Sequence, residues 1–151
     1  MKVLVIRHSS AVDPYAAPSD ELRWLTAEGR ARIRRVAGEI RAKVAITHIY
    51  TSPLVRAVQT AEILALGIGY DDEVRVHAPL ASEYGTTAQA LSVLERHADD
   101  DVVALVSHAP KVRVLAGHLA QESRMGGFTT AATCCIELAG PQIEWFLDPS
   151  E

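Results

Sequence analysis

Two histidines, each at the end of an apolar run, carry the chemistry this sequence offers. Val3-Leu4-Val5-Ile6 leads into Arg7-His8, and Val102-Val103-Ala104-Leu105-Val106 leads into Ser107-His108. A neutral imidazole is a good nucleophile toward phosphorus when one ring nitrogen is fixed by a hydrogen bond and the other points outward. Arginines beside it lower its pKa and keep it neutral at neutral pH. They also grip a dianionic phosphoryl group with forked donors, a geometry lysine cannot match. Arg7 adjoins His8, and Arg56 falls in the first turn of a helix that Ser52-Pro53 would open. A helix N-terminus favours anions, and an arginine there adds a full charge. Taken singly, each residue also has a plain reading. His8 and His108 read equally as satisfied strand-end histidines, and Arg56 as a surface arginine.

The elements that must position these residues follow from the apolar patterning. An uninterrupted, mostly β-branched run suits a strand buried on both faces of a sheet. Open α/β folds place their ligands at the carboxyl ends of such strands. After His8 comes a long polar loop with Asp13, Pro14, Pro18 and Ser19, of a kind that often lines a site. Asp13 and Ser19 could touch a substrate there, but neither is assigned a role. Thr26 reads as a helix N-cap, followed by Ile33, Val36, Ala37, Ile40 and Val44 at helical spacing. Arg30, Arg32, Arg34, Arg35 and Arg41 fall mainly on the other faces and read as a solvated surface.

A strand is expected over 46–51, then a helix capped by Ser52 with Pro53 in its first turn. That helix turns Leu54, Ala57, Val58, Ala61, Leu64 and Ala65 inward and stops near Gly67 and Gly69. A strand over 73–77, a loop over 79–87 and a helix with Ala88, Leu91 and Leu94 inward come next. Asp99-Asp100-Asp101 makes a turn into the second buried strand. Pro110 starts a helix with Val112, Leu115, Ala116 and Leu119 toward the core. Gly126-Gly127 is a loop. Segments 131–138 and 143–147 read as a closing hairpin around Gly140-Pro141. Strands alternate with helices, so the fold class is α/β. The expectation is a three-layer α/β/α sandwich with a mostly parallel central sheet and an antiparallel edge strand.

Bulk properties narrow the field. A chain of 151 residues is most simply one domain, residues 1–151, and is long enough to bury a core. With 48% hydrophobic and 23% charged residues it is too apolar to remain disordered. A net charge of −4 argues against nucleic acid as a partner, though not against a local cationic pocket. No run of about 18 apolar residues marks a membrane span, and the N-terminus lacks the pattern of a signal peptide. Cys134 and Cys135 are adjacent, unsuited to an ordinary disulfide, and read as small strand residues in a reducing, cytoplasmic setting. Trp24 and Trp145 read as packing residues. His48, His77, His97 and His118 read as structural or surface histidines.

Four blocks in order resemble the histidine phosphatase superfamily, the group that includes phosphoglycerate mutases. They are Val5-Ile6-Arg7-His8; Leu25-Thr26-Ala27-Glu28-Gly29; Thr51-Ser52-Pro53-Leu54-Val55-Arg56-Ala57-Val58-Gln59-Thr60-Ala61; and Val106-Ser107-His108. The short length, Ser107-His108-Ala109-Pro110 and Phe128-Thr129-Thr130 look most like the small phosphohistidine phosphatase branch typified by SixA. The resemblance spans nearly the whole chain. It implies that His8 is the nucleophile, phosphorylated on its ring, and that Arg7 and Arg56 hold phosphoryl oxygens. It further implies that His108 stabilises the charge that develops, and that water then releases phosphate. No metal and no other cofactor is implied, and the oligomeric state stays open.

Two positions depart from the family pattern. Ser9 stands where glycine usually follows the catalytic histidine, with a hydroxyl that could face the phosphate. Glu83 lies in the loop where many members supply a proton donor, but its spacing does not match cleanly. It reads as a substrate-binding donor or as a solvated carboxylate. A phosphoramidate needs that donor less, because its nitrogen leaving group can arrive protonated. The favoured substrate is therefore a phosphohistidine protein. The alternatives are a small phosphorylated metabolite or a non-catalytic phosphate-binding domain. The absence of the inserted segments that enclose a sugar phosphate argues against a mutase.

Overall fold

Val3, Leu4, Val5 and Ile6 are completely buried because β1 (Lys2–Arg7) lies inside a six-stranded sheet, covered on both faces. The other strands are β2 (His48–Thr51), β3 (Val74–Val76), β4 (Val102–Ser107), β5 (Thr133–Glu137) and β6 (Gln142–Leu147), in the order β3-β2-β4-β1-β5-β6. The first four pair in parallel, whereas β5 runs antiparallel to β1 and to β6. The sheet is thus a parallel half closed by an antiparallel hairpin. The computed structural model describes residues 1–83 and 85–150; Tyr84, in the loop that carries Glu83, and Glu151 lie outside them.

Alternation along each strand feeds two apolar layers. Leu4, Ile6, Ala104 and Val106 meet α1 (Ala27–Arg41) and α2 (Val55–Ile68) on one face. Val3, Val5, Val103 and Leu105 meet α4 (Lys111–Ala120) and the short α3 (Thr87–Leu91) on the other. Three layers result, as the patterning implied. Full burial of each such side chain stabilises the fold by about 1.5–3 kcal/mol before chain entropy is counted. Cys134 and Cys135 face opposite layers, both buried and free, and burial pushes their thiols up to about 12 and about 11. No helix is long and apolar enough to cross a membrane.

The register matters most for function. Arg7 pairs with Ser107, so β1 and β4 end level and release His8 and His108 side by side. His8 N–H still donates to the Ser107 carbonyl at 2.9 Å.

Several local expectations are corrected. Ser52 does not cap α2: Leu54 is the N-cap, and Pro53 is exposed in a bend before the helix. The strand expected from 131 starts at Thr133, because Ala131 adopts φ +65° and gives its N–H to the Arg7 and His8 carbonyls. After α3 the chain tightens into a 3₁₀ turn (Ser92–Arg96). This rotates the buried face to Ala90, Val93 and Leu94 and leaves Ala88 exposed. Trp24 is 39% exposed rather than fully packed, while its neighbour Leu25, bridged to Ala11, takes the buried position.

Candidate active site

His8 is only 8% exposed, and its Nδ1 lies 2.7 Å from the Ser9 carbonyl oxygen. A carbonyl only accepts, so Nδ1 carries the proton and Nε2 keeps its lone pair. Burial first of all, with Arg56, Arg7 and Arg23 adding to it and the Ser9 carbonyl opposing, lowers the His8 pKa to about 4. At neutral pH the ring is therefore neutral, with one nitrogen fixed and the other available.

His108 stands beside it, ring centroids 5.0 Å apart and planes tilted by 56°. It is 2% exposed, and its Nε2 meets Ser52 Oγ at 2.7 Å. Ser52 Oγ already accepts the Leu54 N–H at 3.3 Å. The arrangement in which Ser52 donates to Nε2 satisfies both groups and places the His108 proton on Nδ1. Burial, then His8 and Arg56, lowers the His108 pKa to about 3, with Asp20 opposing.

Arg7 and Arg56 complete the cluster. Arg7 donates from Nη1 to the Phe128 carbonyl at 2.8 Å. Arg56, in the first turn of α2 and 5% exposed, is held at two points by Asp20. Nη1 reaches the Asp20 carbonyl at 2.7 Å and Nη2 reaches Oδ2 at 3.2 Å. The Asp20 side chain is half exposed, so this ion pair is worth no more than about 1 kcal/mol. Its effect is to orient the guanidinium. Asp20 is held below the usual carboxylate range, chiefly by its hydrogen bond to Arg23.

Among the described residues, four buried side-chain nitrogens have no hydrogen-bond partner: Arg7 Nε, Arg56 Nε, His108 Nδ1 and, on α1, Arg32 Nε. Unpaired buried donors are rare, and three of these belong to the residues whose ring or charge acts on His8, a donor set suited to a tetrahedral oxyanion. The positive charges gather here in a chain whose net charge is −4.

Polar residues that the sequence reading left without a role hold the frame. Thr60 Oγ1 accepts the Ser9 N–H at 2.9 Å and donates to the Arg56 carbonyl, and Gln59 accepts the Leu25 N–H at 2.8 Å. Thr60 follows Arg56 by one helical turn on a buried face, a spacing that could have flagged it. The Ser9 hydroxyl donates to the Gly29 carbonyl at 2.7 Å, so it supports α1 instead of turning to the histidines. Gly29 is required there, because a Cβ would fall 2.1 Å from the Ser10 carbonyl oxygen. Arg32 is not part of a solvated face: its Nη1 bonds Ser10 Oγ at 3.1 Å and also Thr130.

Other sequence candidates lie farther out. Asp13 closes a local turn at Tyr15 N–H, and Ser19 precedes the 3₁₀ turn that carries Asp20. Glu83 is exposed and borders a cleft of about 260 Å³ with Asp20, Glu21, Leu54 and Ala81. No group of three metal-ligating side chains occurs in the site among the described residues.

Comparison with known proteins agrees with this geometry. Residues 3–86 match the Histidine phosphatase superfamily (branch 1). An uncharacterised protein of Picosynechococcus sp. is 36% identical over 113 residues, covering 73% of this chain and 67% of that one. The solved structure of the protein histidine phosphatase SixA complexed with tungstate superposes with a TM-score of 0.88 at 27% identity, over 99% of this chain and 98% of that one. A putative phosphohistidine phosphatase SixA from Agrobacterium tumefaciens superposes with a TM-score of 0.81 at 20% identity, over 98% of each chain.

Proposed function

The chain belongs to the histidine phosphatase superfamily, SixA-like branch, and from that premise we propose that it dephosphorylates phosphohistidine proteins through a phospho-His8 intermediate. One observation carries the reading: a neutral His8 with its proton anchored on Nδ1 and Nε2 left as the lone pair, beside three buried unpaired donors. Nε2 attacks phosphorus, the bond from phosphorus to the substrate nitrogen breaks, and the electron pair leaves with that nitrogen. Arg7 and Arg56 hold equatorial oxygens, and His108 Nδ1–H donates as negative charge develops. Water then attacks phosphorus, the P–Nε2 bond breaks, and phosphate departs. The similar SixA structure holds tungstate, itself a tetrahedral oxyanion, which supports the oxyanion reading of this cradle. No metal takes part in these steps.

A leaving nitrogen that arrives protonated needs no dedicated acid. That suits a site in which Glu83 is exposed and the Asp20 carboxylate is taken up by Arg23 and Arg56. Glu83 at the edge of the cleft favours one alternative, hydrolysis of a small phosphomonoester with Glu83 as acid. Glu83→Gln separates the two. Unchanged turnover of a phosphohistidine peptide is the expected result. Loss of hydrolysis of an alkyl phosphomonoester, whose alkoxide leaving group needs a proton, together with a wild-type rate that favours the ester would replace the first reading by the second. No turnover of any phosphorylated compound would leave a phosphate-binding domain.

A further inference from the structure

At the other end of the sheet a second cluster of polar side chains has no part in the proposed reaction. His48 opens β2, Asp101 immediately precedes β4, and His97 follows the 3₁₀ turn. One ligand atom from each of the three lies within 4.8 Å of the others, and all three residues are partly buried. β4 separates Asp101 from the catalytic end by six residues at about 3.3 Å each, roughly 20 Å.

The distances fit a metal. A tetrahedral centre with bonds of about 2.0–2.2 Å spaces its ligand atoms about 3.3–3.6 Å apart. Asp101 Oδ2 lies 3.0 Å from His97 Nδ1 and 3.9 Å from His48 Nδ1, and all three ligand atoms lie within 4.8 Å of one another, close enough for side-chain rotation to bring them onto one ion. The imidazole rings lie 4.2 Å apart, tilted by 55°. The surroundings fit as well. His97 Nε2 meets Tyr50 Oη at 2.8 Å, the partner that fixes the tautomer and aim of a ligating ring. Asp101 Oδ2 is held by the Ala98 N–H at 3.1 Å. His48 Nδ1 currently meets Thr47 Oγ1 at 2.9 Å, and that hydroxyl keeps both its Val102 backbone bonds if the ring turns to a metal. The His48 side chain is 32% exposed, which gives an ion a way in.

We propose that His48, His97 and Asp101 form a binding site for a zinc-like divalent transition metal, completed by water. Two imidazoles and one carboxylate suit such an ion and not calcium or magnesium, which take oxygen ligands. The metal staples the start of β2 to the segment entering β4 and acts on stability, far from the phosphoryl chemistry.

The test uses chelator-stripped full chain with zinc or cobalt chloride. One equivalent of cobalt should bind and give the intense visible absorption of four-coordinate cobalt. Zinc at about a hundred times its dissociation constant should lower the unfolding constant about 100-fold. His48→Asn, a partly exposed position outside the core, should lose both responses. His8→Ala, which breaks the other histidine pair, should keep both. Failure of the wild type to bind, equal binding by His48→Asn, or loss of binding in His8→Ala would each overturn the proposal.

Discussion

Acidification should unfold this protein through its two catalytic-end histidines before it disables them. The ordinary histidine value is 6.5, and burial holds His8 at about 4 and His108 at about 3 in the folded chain. Both folded values are depressed, so the unfolded chain takes up protons first as pH falls. Stability is fully present above about pH 7 and declines as pH drops through 6.5 toward the folded values. Between about pH 7 and pH 5 each histidine costs about 2 kcal/mol, and the pair about 4 kcal/mol. That is a large fraction of the roughly 5–15 kcal/mol that stabilises a domain. Urea unfolding followed by circular dichroism at intervals of pH measures it. The wild type should lose about 4 kcal/mol over that range, and His8→Ala only about half as much. Because Nε2 of His8 stays unprotonated until pH nears 4, kcat/KM of the still-folded protein should hold across the same range. A wild-type loss below about 1 kcal/mol, or an identical slope in His8→Ala, would refute the buried neutral pair.

Other perturbations address the cradle. Arg56→Ala removes a buried guanidinium aimed by Asp20 and should lower kcat/KM by about 10²–10³-fold in steady-state hydrolysis of a phosphohistidine peptide. Ser52→Ala strands His108 Nε2 and should cost about 1–3 kcal/mol in urea unfolding, with a fall in kcat, whereas Ser52→Thr keeps the hydroxyl and restores both.

Elements with dense local signals were legible in the sequence. The two apolar runs predicted β1 and β4, and the level register that puts His8 beside His108 follows from their parallel pairing. The closing hairpin followed from two short apolar segments flanking Gly140-Pro141. What the sequence hid depends on contacts between distant segments. Asp20 looked like one acid among many in a polar loop, and only the fold brings it to Arg56. Arg32 lies on a helix face that periodicity assigns to solvent, yet the loop after His8 and Thr130 wrap over it. Ser52 has the composition of a helix cap, and its hydroxyl is taken by a histidine on another strand. The three-residue 3₁₀ turns are too short for any periodic pattern to mark them.

The central claim is that the outward nitrogen of His8 takes the phosphoryl group. Rapid quenching of the protein with a phosphohistidine substrate, followed by mass spectrometry under alkaline conditions, measures it directly. The account predicts acid-labile phosphate on His8, absent in His8→Ala, that appears and decays within a turnover. Turnover with no phosphate on His8, or full activity in His8→Ala, would contradict it.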